Sequence, residues 1–174
     1  KAIREGIKKF IYSSSGSVYG IKKEKKVTEN LAPFPLSIYN KTKMIAERVL
    51  LSFSDKIKIY IIRPGTVCGV SSRMRLDISI NMLTMQAIKD GAITIFGGTQ
   101  KRPNIHIEDL TNIFIFFTKK NKQPGIYNAG FENLSILNIP KVIKKKINCK
   151  INIKKIFDLR SYNLDSSKLI KAGF

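Results

Sequence analysis

A tyrosine and a lysine four residues apart could form an acid–base pair in this sequence. They occur in the stretch YNKTK, as Tyr39 and Lys43. An ammonium group beside a phenol lowers the phenol's pKa, so that the phenolate can act as a base nearer to neutral pH. The spacing alone does not establish the pair, because the chain is rich in lysine and Tyr19 also has a lysine, Lys23, four residues later.

The predicted structure around the two tyrosines distinguishes them. Apolar residues recur with helical spacing over residues 37–53, with Ser37 as the expected N-cap, so Tyr39 and Lys43 share a helix face. Tyr19 is followed by a glycine and a lysine run, a loop context in which residues four apart need not face each other. The pattern therefore favours Tyr39 over Tyr19. At this point a functional pair and a coincidence on the helix surface are equal alternatives for Tyr39 and Lys43.

A cluster of serines ends the first predicted strand. Residues 9–13 are predicted to form a buried strand, which runs into Ser13, Ser14, Ser15, Gly16 and Ser17. Open parallel sheets bind ligands at the carboxyl ends of their strands. An ordinary turn is the simpler interpretation of the cluster by itself. Together with a helix-borne tyrosine and lysine, however, a strand-end serine forms a coherent proton-transfer set.

Strands and helices are predicted to alternate along the chain, which indicates an α/β protein with a largely parallel sheet. The predicted strands cover residues 9–13, 56–62, 93–96, 104–107, 125–128 and 151–156. The predicted helices cover residues 37–53, 78–90, 135–147 and 166–171, with another that begins at 108–109, and residues 2–7 look like the end of a helix. No G-x-G-x-x-G motif follows an early strand, so the phosphate-binding turn of a dinucleotide-binding fold is missing. The chain therefore reads like part of a longer protein.

The formal net charge of +20 would ordinarily suggest a polyanionic partner. The lysines are scattered in short runs along the whole chain, and no recognition helix or RNA-binding signature accompanies them. We therefore expect a solvated basic surface and no specific nucleic-acid partner.

Cysteine content and hydropathy exclude further classes of protein. Cys68 and Cys149 are isolated, which argues against a disulfide framework or a metal site. The apolar runs fall far short of the roughly 20 residues that span a bilayer, and no signal peptide precedes them. The expectation is a soluble cytoplasmic protein without a membrane partner.

Four sequence motifs follow one another along the chain. They are FIYSSSGSVYG at residues 10–20, SIYNKTKMIAE at 37–47, IRPGTVCG at 62–69 and RPNIHIED at 102–109. In this order and at this spacing they resemble the extended short-chain dehydrogenases/reductases, and among these the nucleotide-sugar epimerase/dehydratase group. The resemblance extends from residue 2 to the C-terminus.

The resemblance implies a partial Rossmann-type parallel sheet with a small C-terminal α/β substrate-binding lobe. Residues 1–70 would form the C-terminal half of the NAD(P)-binding domain. Residues 71–174 would be mainly the substrate-binding lobe, with segments that return to the sheet. The implied cofactor is NAD, with NADP as an alternative. The implied substrate is a nucleoside-diphosphate sugar, and the full-length protein would be a homodimer.

The resemblance also assigns roles to individual residues. The implied catalytic residues are Ser15, Tyr39 and Lys43. Cofactor contacts are implied for Ser13, Ser14, Tyr39, Lys43, Pro64, Gly65, Thr66 and Val67. Substrate contacts are implied for Ser15, Thr66, Arg73, Asn81, Arg102 and Asp158. The single histidine, His106, falls on a position that is mostly structural in the family.

Two departures from the family pattern refine the expected function. Gly16 and Ser17 stand where dehydratases often carry acidic residues, which favours an epimerase or a 4-keto reductase over a dehydratase. The missing glycine-rich motif leaves a second interpretation open, a non-catalytic fragment that binds sugar nucleotides or nucleic acid. It also predicts that the isolated chain is inactive and binds dinucleotide weakly or not at all.

Overall fold

Strands and helices alternate along the chain. The computed structural model describes residues 1–156 and 161–174. The strands are β1 (Lys9–Ser13), β2 (Lys58–Pro64), β3 (Thr66–Cys68), β4 (Ala92–Phe96), β5 (Lys101–His106), β6 (Gly125–Ala129), β7 (Glu132–Ser135) and β8 (Lys150–Lys154). The α-helices are α1 (Ile38–Leu51), α2 (Ser79–Asp90), α3 (Ile107–Lys119), α4 (Asn138–Lys144) and α5 (Ser167–Lys171). The predicted α/β class is confirmed.

The described strands form three small sheets. The first has the order β1-β2-β6 and is parallel throughout, with Ser13 opposite Ile62 and Pro64 opposite Ala129. The second has the order β3-β5-β7, and the third pairs β4 with β8 in parallel. Strand β6 therefore brings a late segment of the chain back beside β2. A domain boundary at residue 70 stays a prediction.

Strand β2 is the centre of the first sheet and is packed on both faces. Its sequence, KIYIIRP, is a nearly continuous apolar run, which is typical of a parallel strand covered on both sides. On one face Tyr60 and Ile62 pack with Phe117 of α3. On the other face Ile59 and Ile61 belong to a cluster that includes the C-terminal end of α1. The two helices thereby sandwich the sheet.

Helix α1 follows the serine cluster in the chain and is capped as the sequence predicts. The Ser37 hydroxyl accepts a hydrogen bond from the Asn40 backbone N–H at 3.2 Å. This bond satisfies one of the N–H groups that a helix start leaves without a partner. The cap fixes where the helix begins, and it places Tyr39 in the first turn.

Some element boundaries differ from prediction. The strands β3 and β7 were not expected, and the helix predicted over residues 135–147 shrinks to α4. Residues 132–135 instead pair antiparallel with β5, so that Ser135 lies opposite Lys101. At Ser135, pairing with a distant strand overrides local helical periodicity, and such pairing is invisible in a short window of sequence. Residues 136–137 and 145–146 form turns on either side of the shorter helix.

Residues 2–7 have the hydrogen bonds with which helices commonly end. The N–H of Ile7 donates to the carbonyl of Ala2, and the N–H of Gly6 donates to the carbonyl of Ile3, each at 3.1 Å. Gly6 has a φ of 70°, the left-handed conformation that closes such a Schellman motif. Among the helices of the described ranges, none is long and apolar enough to cross a membrane.

Candidate active site

A cleft of about 620 Å³ opens where β1 and β2 end. Its walls include the serine cluster, Tyr39 and Lys43 of α1, and the loop that carries Arg73 and Arg75. The three predicted catalytic residues thus lie around one cavity, at the sheet edge where parallel folds bind ligands. A cavity of similar volume, about 630 Å³, lies beside α5 and contains none of the predicted site residues. The chemistry of the lining, and not the volume, distinguishes the two.

Lys43 links the catalytic helix to the end of β1. Its Nζ donates a hydrogen bond to the backbone carbonyl of Ser13 at 2.7 Å. The same Nζ lies 5.7 Å from the ring centroid of Tyr39 and 5.0 Å from that of Tyr12. Tyr39 is about half exposed, so its hydroxyl is accessible to a ligand. The ammonium is therefore held beside the candidate base.

A second hydrogen-bonded connection runs through the serine hydroxyls. Ser17 Oγ donates to Oδ1 of Asn40, the residue after Tyr39, at 2.6 Å. Because that hydroxyl proton is used, Ser15 must be the donor in the 2.7 Å contact between Ser15 Oγ and Ser17 Oγ. Ser15 Oγ also accepts the Ser17 backbone N–H at 3.2 Å. One acceptor lone pair of Ser15 is left for a hydrogen bond from a ligand.

Tyr19 has a different environment from Tyr39. Its side chain is fully buried, its hydroxyl donates to Asn128 Oδ1 at 2.9 Å, and the Arg63 guanidinium lies 4.7 Å from its ring centroid. Burial raises the pKa of Tyr19 even though Arg63 opposes this shift, and a raised pKa is the opposite of what a base requires. Lys23 is exposed, in the loop that follows. The lysine spacing at Tyr19 is therefore a coincidence.

A buried ion pair lies beneath the cleft, and the sequence analysis missed it. Glu47 is the buried residue of α1, and its carboxylate accepts hydrogen bonds from Arg63 Nε at 2.9 Å and Nη2 at 2.5 Å. Ser14 Oγ donates to the same carboxylate. The Ser14 hydroxyl, predicted as a cofactor contact, is thus engaged within the protein. The sequence signal that could have identified this pair is a glutamate within a helix and an arginine within an apolar strand.

The loop between β3 and α2 is held by Asn81. Its Oδ1 accepts the Gly69 N–H at 3.1 Å, and its Nδ2 donates to the Arg75 carbonyl at 2.9 Å. Asn81 was predicted to bind substrate; its amide lines the cleft and also fixes the loop that carries Arg73 and Arg75. The Arg75 side chain pairs with Asp77 through two contacts, Nε–Oδ1 at 3.0 Å and Nη2–Oδ2 at 2.6 Å.

Residues 64–67 are predicted to contact the cofactor through their backbone. All four residues line the cleft. Here β2 turns into β3 at Gly65. A Cβ at this position would lie 2.7 Å from the Pro103 carbonyl oxygen, so only glycine allows the two backbones to approach. The next residue, Thr66, pairs with Asn104 of β5.

The remaining predicted contacts lie farther along the chain. Arg102 is on β5, and its charge acts on Tyr162, a cleft-lining residue that the sequence analysis did not select. Burial raises the pKa of Tyr162 to about 12 despite that charge, so its phenol stays protonated. Asp158 lies outside the described residues. His106 caps α3 by accepting the Glu108 N–H at 3.4 Å, which confirms its structural role.

Comparison with known proteins identifies the family. The model of the NAD-dependent epimerase/dehydratase family matches residues 1–130. The chain belongs to this family. Its members are enzymes that act on nucleotide sugars, and the match includes the chain from the serine cluster to the end of β6. The predicted resemblance is therefore confirmed.

Individual epimerases of this family are similar over most of the chain. The UDP-glucose 4-epimerase of Lactobacillus helveticus is 30% identical over 162 residues, which are 79% of this chain and 49% of that protein. The UDP-glucuronic acid 4-epimerase of Bacillus cereus, solved with UDP-glucuronic acid and NAD, is 33% identical with a TM-score of 0.79, over 94% of this chain and 55% of that one. The fold also matches a Thermotoga maritima UDP-glucose 4-epimerase with a TM-score of 0.86 at 24% identity, over 99% of this chain and 60% of that one. The chain spans about half the length of the curated relatives it matches.

The described ranges contain no group of three or more His, Cys, Asp or Glu side chains that could hold a metal ion. The ionised side chains that line the cleft there are Lys43, Arg73 and Arg75. Proton transfer in this cleft would therefore fall to hydroxyl, phenol and ammonium groups.

Proposed function

We propose that the full-length protein is an NAD-dependent epimerase, or a 4-keto reductase, that acts on a nucleoside-diphosphate sugar. The observation that carries the proposal is the convergence of Ser15, Tyr39 and Lys43 on one cleft at the end of β1. Family membership supports the reaction class, and the similar Lactobacillus helveticus and Bacillus cereus proteins are named as 4-epimerases of UDP-sugars.

Each of the three residues has a separate task in this proposal. Tyr39 removes the proton from the reacting sugar hydroxyl and later returns it. Ser15 hydrogen-bonds the oxygen of that hydroxyl as a donor when its own hydroxyl turns from Ser17 to the ligand, because the single proton of the sugar hydroxyl goes to Tyr39. Lys43 stabilises the negative charge on the phenolate from its fixed position against the Ser13 carbonyl.

The donor groups of the cleft fit the nicotinamide end of NAD. Lys43 uses one of its three N–H donors on Ser13, so within the described residues it retains donors for ribose hydroxyls. The residues that would hold this end are Ser13, Ser14, Tyr39, Lys43, Pro64, Gly65, Thr66 and Val67, and Ser14 would do so through its backbone because its hydroxyl donates to Glu47. When bound, NAD supplies the acceptor for a hydride from the sugar carbon and the donor that returns it.

The substrate would lie between the serine cluster and the Arg73 loop. Ser15 and Thr66 would contact the sugar, while Arg73 and Arg102 would contact the diphosphate, with Asn81 holding the loop. A guanidinium suits a diphosphate because it donates two parallel hydrogen bonds. Asp158 remains a proposed substrate contact from the sequence.

The residues after Ser15 favour epimerisation or reduction over dehydration. Dehydratases of the family often carry acidic residues directly after this serine, but Gly16 and Ser17 supply none, and the Ser17 hydroxyl donates to an amide oxygen of Asn40. We therefore propose that sugar hydroxyls are retained during turnover.

Replacement of Tyr39 by phenylalanine tests the proposal. In the full-length protein, Tyr39→Phe should lower turnover of a UDP-sugar about 100- to 10,000-fold, which is the usual contribution of a general acid–base group. Separation of the product epimers by chromatography measures the rate. Sugar-nucleotide binding should persist, because the variant keeps the ring and loses only the hydroxyl.

The matched control is Tyr60→Phe, which also removes a single hydroxyl. That hydroxyl donates to the Lys122 carbonyl at 2.7 Å, away from the cleft. Its loss should leave turnover close to wild type. Wild-type turnover by Tyr39→Phe would rule out the proposed mechanism.

A further inference from the structure

The ammonium group of Lys43 has a second aromatic neighbour besides Tyr39. Its Nζ lies 5.0 Å from the ring centroid of Tyr12, which is closer than the 5.7 Å to the ring centroid of Tyr39. Both distances are within the roughly 6 Å at which an aromatic face attracts a cation. The ammonium therefore has two ring contacts in addition to its hydrogen bond to the Ser13 carbonyl at 2.7 Å.

The Tyr12 ring is held by the first sheet and does not belong to the cleft. Tyr12 is on β1, opposite Ile61 of β2, and it packs against the buried cluster that includes Ile59 and Ile61. Lys43 and Tyr39 line the cleft, whereas Tyr12 does not. Any effect of Tyr12 on the chemistry of the cleft is therefore indirect, through Lys43.

No carboxylate of the described residues forms an ion pair with Lys43. The acidic residue of α1, Glu47, lies one turn further on, but its carboxylate is already bonded to Arg63 and Ser14. A carboxylate partner would cancel most of the positive charge that acts on the candidate base. A carbonyl dipole and an aromatic ring, in contrast, hold the ammonium and leave its net charge intact.

The Tyr12 ring itself is uncharged at neutral pH. Burial raises the pKa of Tyr12, and the charges of Glu47 and Tyr39 raise it further, so the phenol stays protonated. A neutral ring keeps the negative face that attracts a cation. Tyr12 is thus suited to fix an ammonium group without neutralising it.

We propose that Tyr12 is a positioning residue of the candidate active site, whose ring holds the Lys43 ammonium in place beside Tyr39. This inference rests on the proposed function. Without the ring, Lys43 loses one of the contacts that fix it, and its flexible stem can turn the ammonium toward solvent. The positive charge then acts less strongly on Tyr39, because the interaction weakens with distance and with solvent exposure.

Replacement of Tyr12 by leucine removes the ring and keeps an apolar side chain against the cluster. In the full-length protein with saturating NAD, Tyr12→Leu should lower kcat for a UDP-sugar about 2- to 30-fold, which is the range that corresponds to one cation–π contact. KM for the UDP-sugar should change little, because Tyr12 does not line the cleft. Tyr12→Phe keeps the ring and should restore most of the lost kcat.

The pH dependence of kcat distinguishes the positioning of a charge from a loss of packing. The cationic groups whose charges act on Tyr39 are Lys43 on the same helix and Arg75 in the loop between β3 and α2. From α1, Tyr12 is faced by Lys43 and by Glu47. A more distant Lys43 stabilises the phenolate less, so the rise of kcat with pH should move to higher pH in Tyr12→Leu and not in Tyr12→Phe.

Phe10→Leu is the matched control for the loss of a ring. Phe10 lies two residues before Tyr12 on the same strand, so its side chain is on the same face. It lines a groove with Leu50 and Phe53 near the end of α1, away from the cleft. This variant should keep the wild-type kcat and pH dependence, and thermal unfolding measures how much stability each leucine variant loses.

A ring-fluorinated phenylalanine in place of Tyr12 gives a second variant, which keeps the shape of the ring. Fluorine withdraws electrons and weakens the negative face that attracts the ammonium. Compared with Tyr12→Phe, this variant should have a lower kcat and a rise of kcat at higher pH. The comparison holds even if Tyr12→Leu folds poorly, because the packing of the ring is retained.

Two results would overturn this inference and leave the proposed function standing. One is a fluorinated variant with the same kcat and pH dependence as Tyr12→Phe. The other is a Phe10→Leu variant that changes kcat and its pH dependence as much as Tyr12→Leu does, which would assign the effect to packing. Wild-type turnover by Tyr39→Phe would instead contradict the proposed function, and the inference would fall with it.

Discussion

Glu47 is the residue at which three elements of the site meet. Its carboxylate accepts hydrogen bonds from Ser14 at the end of β1 and from Arg63 of β2, while Glu47 itself belongs to α1. The side chains of Arg63 and Glu47 are 2% and 3% exposed. Tyr39 and Lys43 lie on the same helix, so this contact helps to hold them against the strand ends. We regard Glu47 as a positioning residue.

Truncation of Glu47 should strongly destabilise the fold. Glu47→Ala leaves the Arg63 guanidinium buried and without its carboxylate, and the loss of one partner of a buried pair costs about 3–5 kcal/mol. Urea denaturation followed by circular dichroism measures the free energy of unfolding. Replacement of both partners, as Glu47→Leu with Arg63→Met, should restore much of the loss because no charge then stays buried.

An exposed glutamate provides the control for this experiment. Glu24 is exposed in the loop after Tyr19, and Glu24→Ala should change the free energy of unfolding by no more than about 0.5 kcal/mol. Similar losses for Glu47→Ala and Glu24→Ala would mean that the buried pair does not stabilise the fold.

At the scale of secondary-structure elements, the sequence predicts the helices and strands that a local pattern of residues determines. The capped helix α1, the apolar strand β2 and the helix α3 follow from hydrophobic periodicity and from Ser37. Strands β3 and β7 are three and four residues long, and they exist because both pair with β5. Pairing between distant segments leaves too little local signal for prediction.

The same distinction applies to the candidate site. Ser15, Tyr39 and Lys43 could be selected because they lie at a strand end and on one helix face. Tyr162 could not, since the late segment returns to the cleft only through packing with the cluster of Val18, Tyr19, Val27 and Leu164. Glu47 was missed because helical periodicity predicts that polar residues face outward. Only its contact with Arg63, in another element, shows that Glu47 faces inward.

Helix α1 has an apolar stripe on its outer surface. Ile38, Ile45 and Val49 are spaced by seven and four residues, so they lie on one face, and their exposed fractions are 81%, 54% and 54%. The opposite face buries Glu47. We propose that the full-length protein is a homodimer and that the stripe packs against the same helix of the second copy.

Charged substitutions on this stripe should abolish the dimer. Ile45→Asp combined with Val49→Asp places two carboxylates in the contact, and their burial without partners is unfavourable. Size-exclusion chromatography with light scattering should give the dimer mass for the parent protein and the monomer mass for the double variant. Ile88→Asp is the control, because Ile88 is 65% exposed on α2, away from the stripe. A monomeric parent protein would refute the proposal.

At the scale of the whole molecule, the first sheet has an uncovered side. Strand β1 pairs with β2, and among the described strands none pairs with its other edge. An apolar groove of about 290 Å³ adjoins this edge and is lined by Ala2, Ile3, Phe10, Leu50 and Phe53, among others. The cleft that we propose for the nicotinamide end of the cofactor lies at the carboxyl end of this same strand.

This architecture predicts weak cofactor binding by the 174-residue chain. In dinucleotide-binding folds the pyrophosphate is held by N–H groups at a glycine-rich turn and helix start, and the sequence contains no such turn. Contacts from Lys43 and residues 64–67 alone should give NAD a Kd no tighter than about 1 mM by calorimetry. The same preparation should bind a UDP-sugar more tightly, because the proposed diphosphate contacts Arg73 and Arg102 lie on the chain, and this control shows that the chain is folded. A micromolar Kd for NAD would mean that the described cleft holds the dinucleotide without a glycine-rich turn.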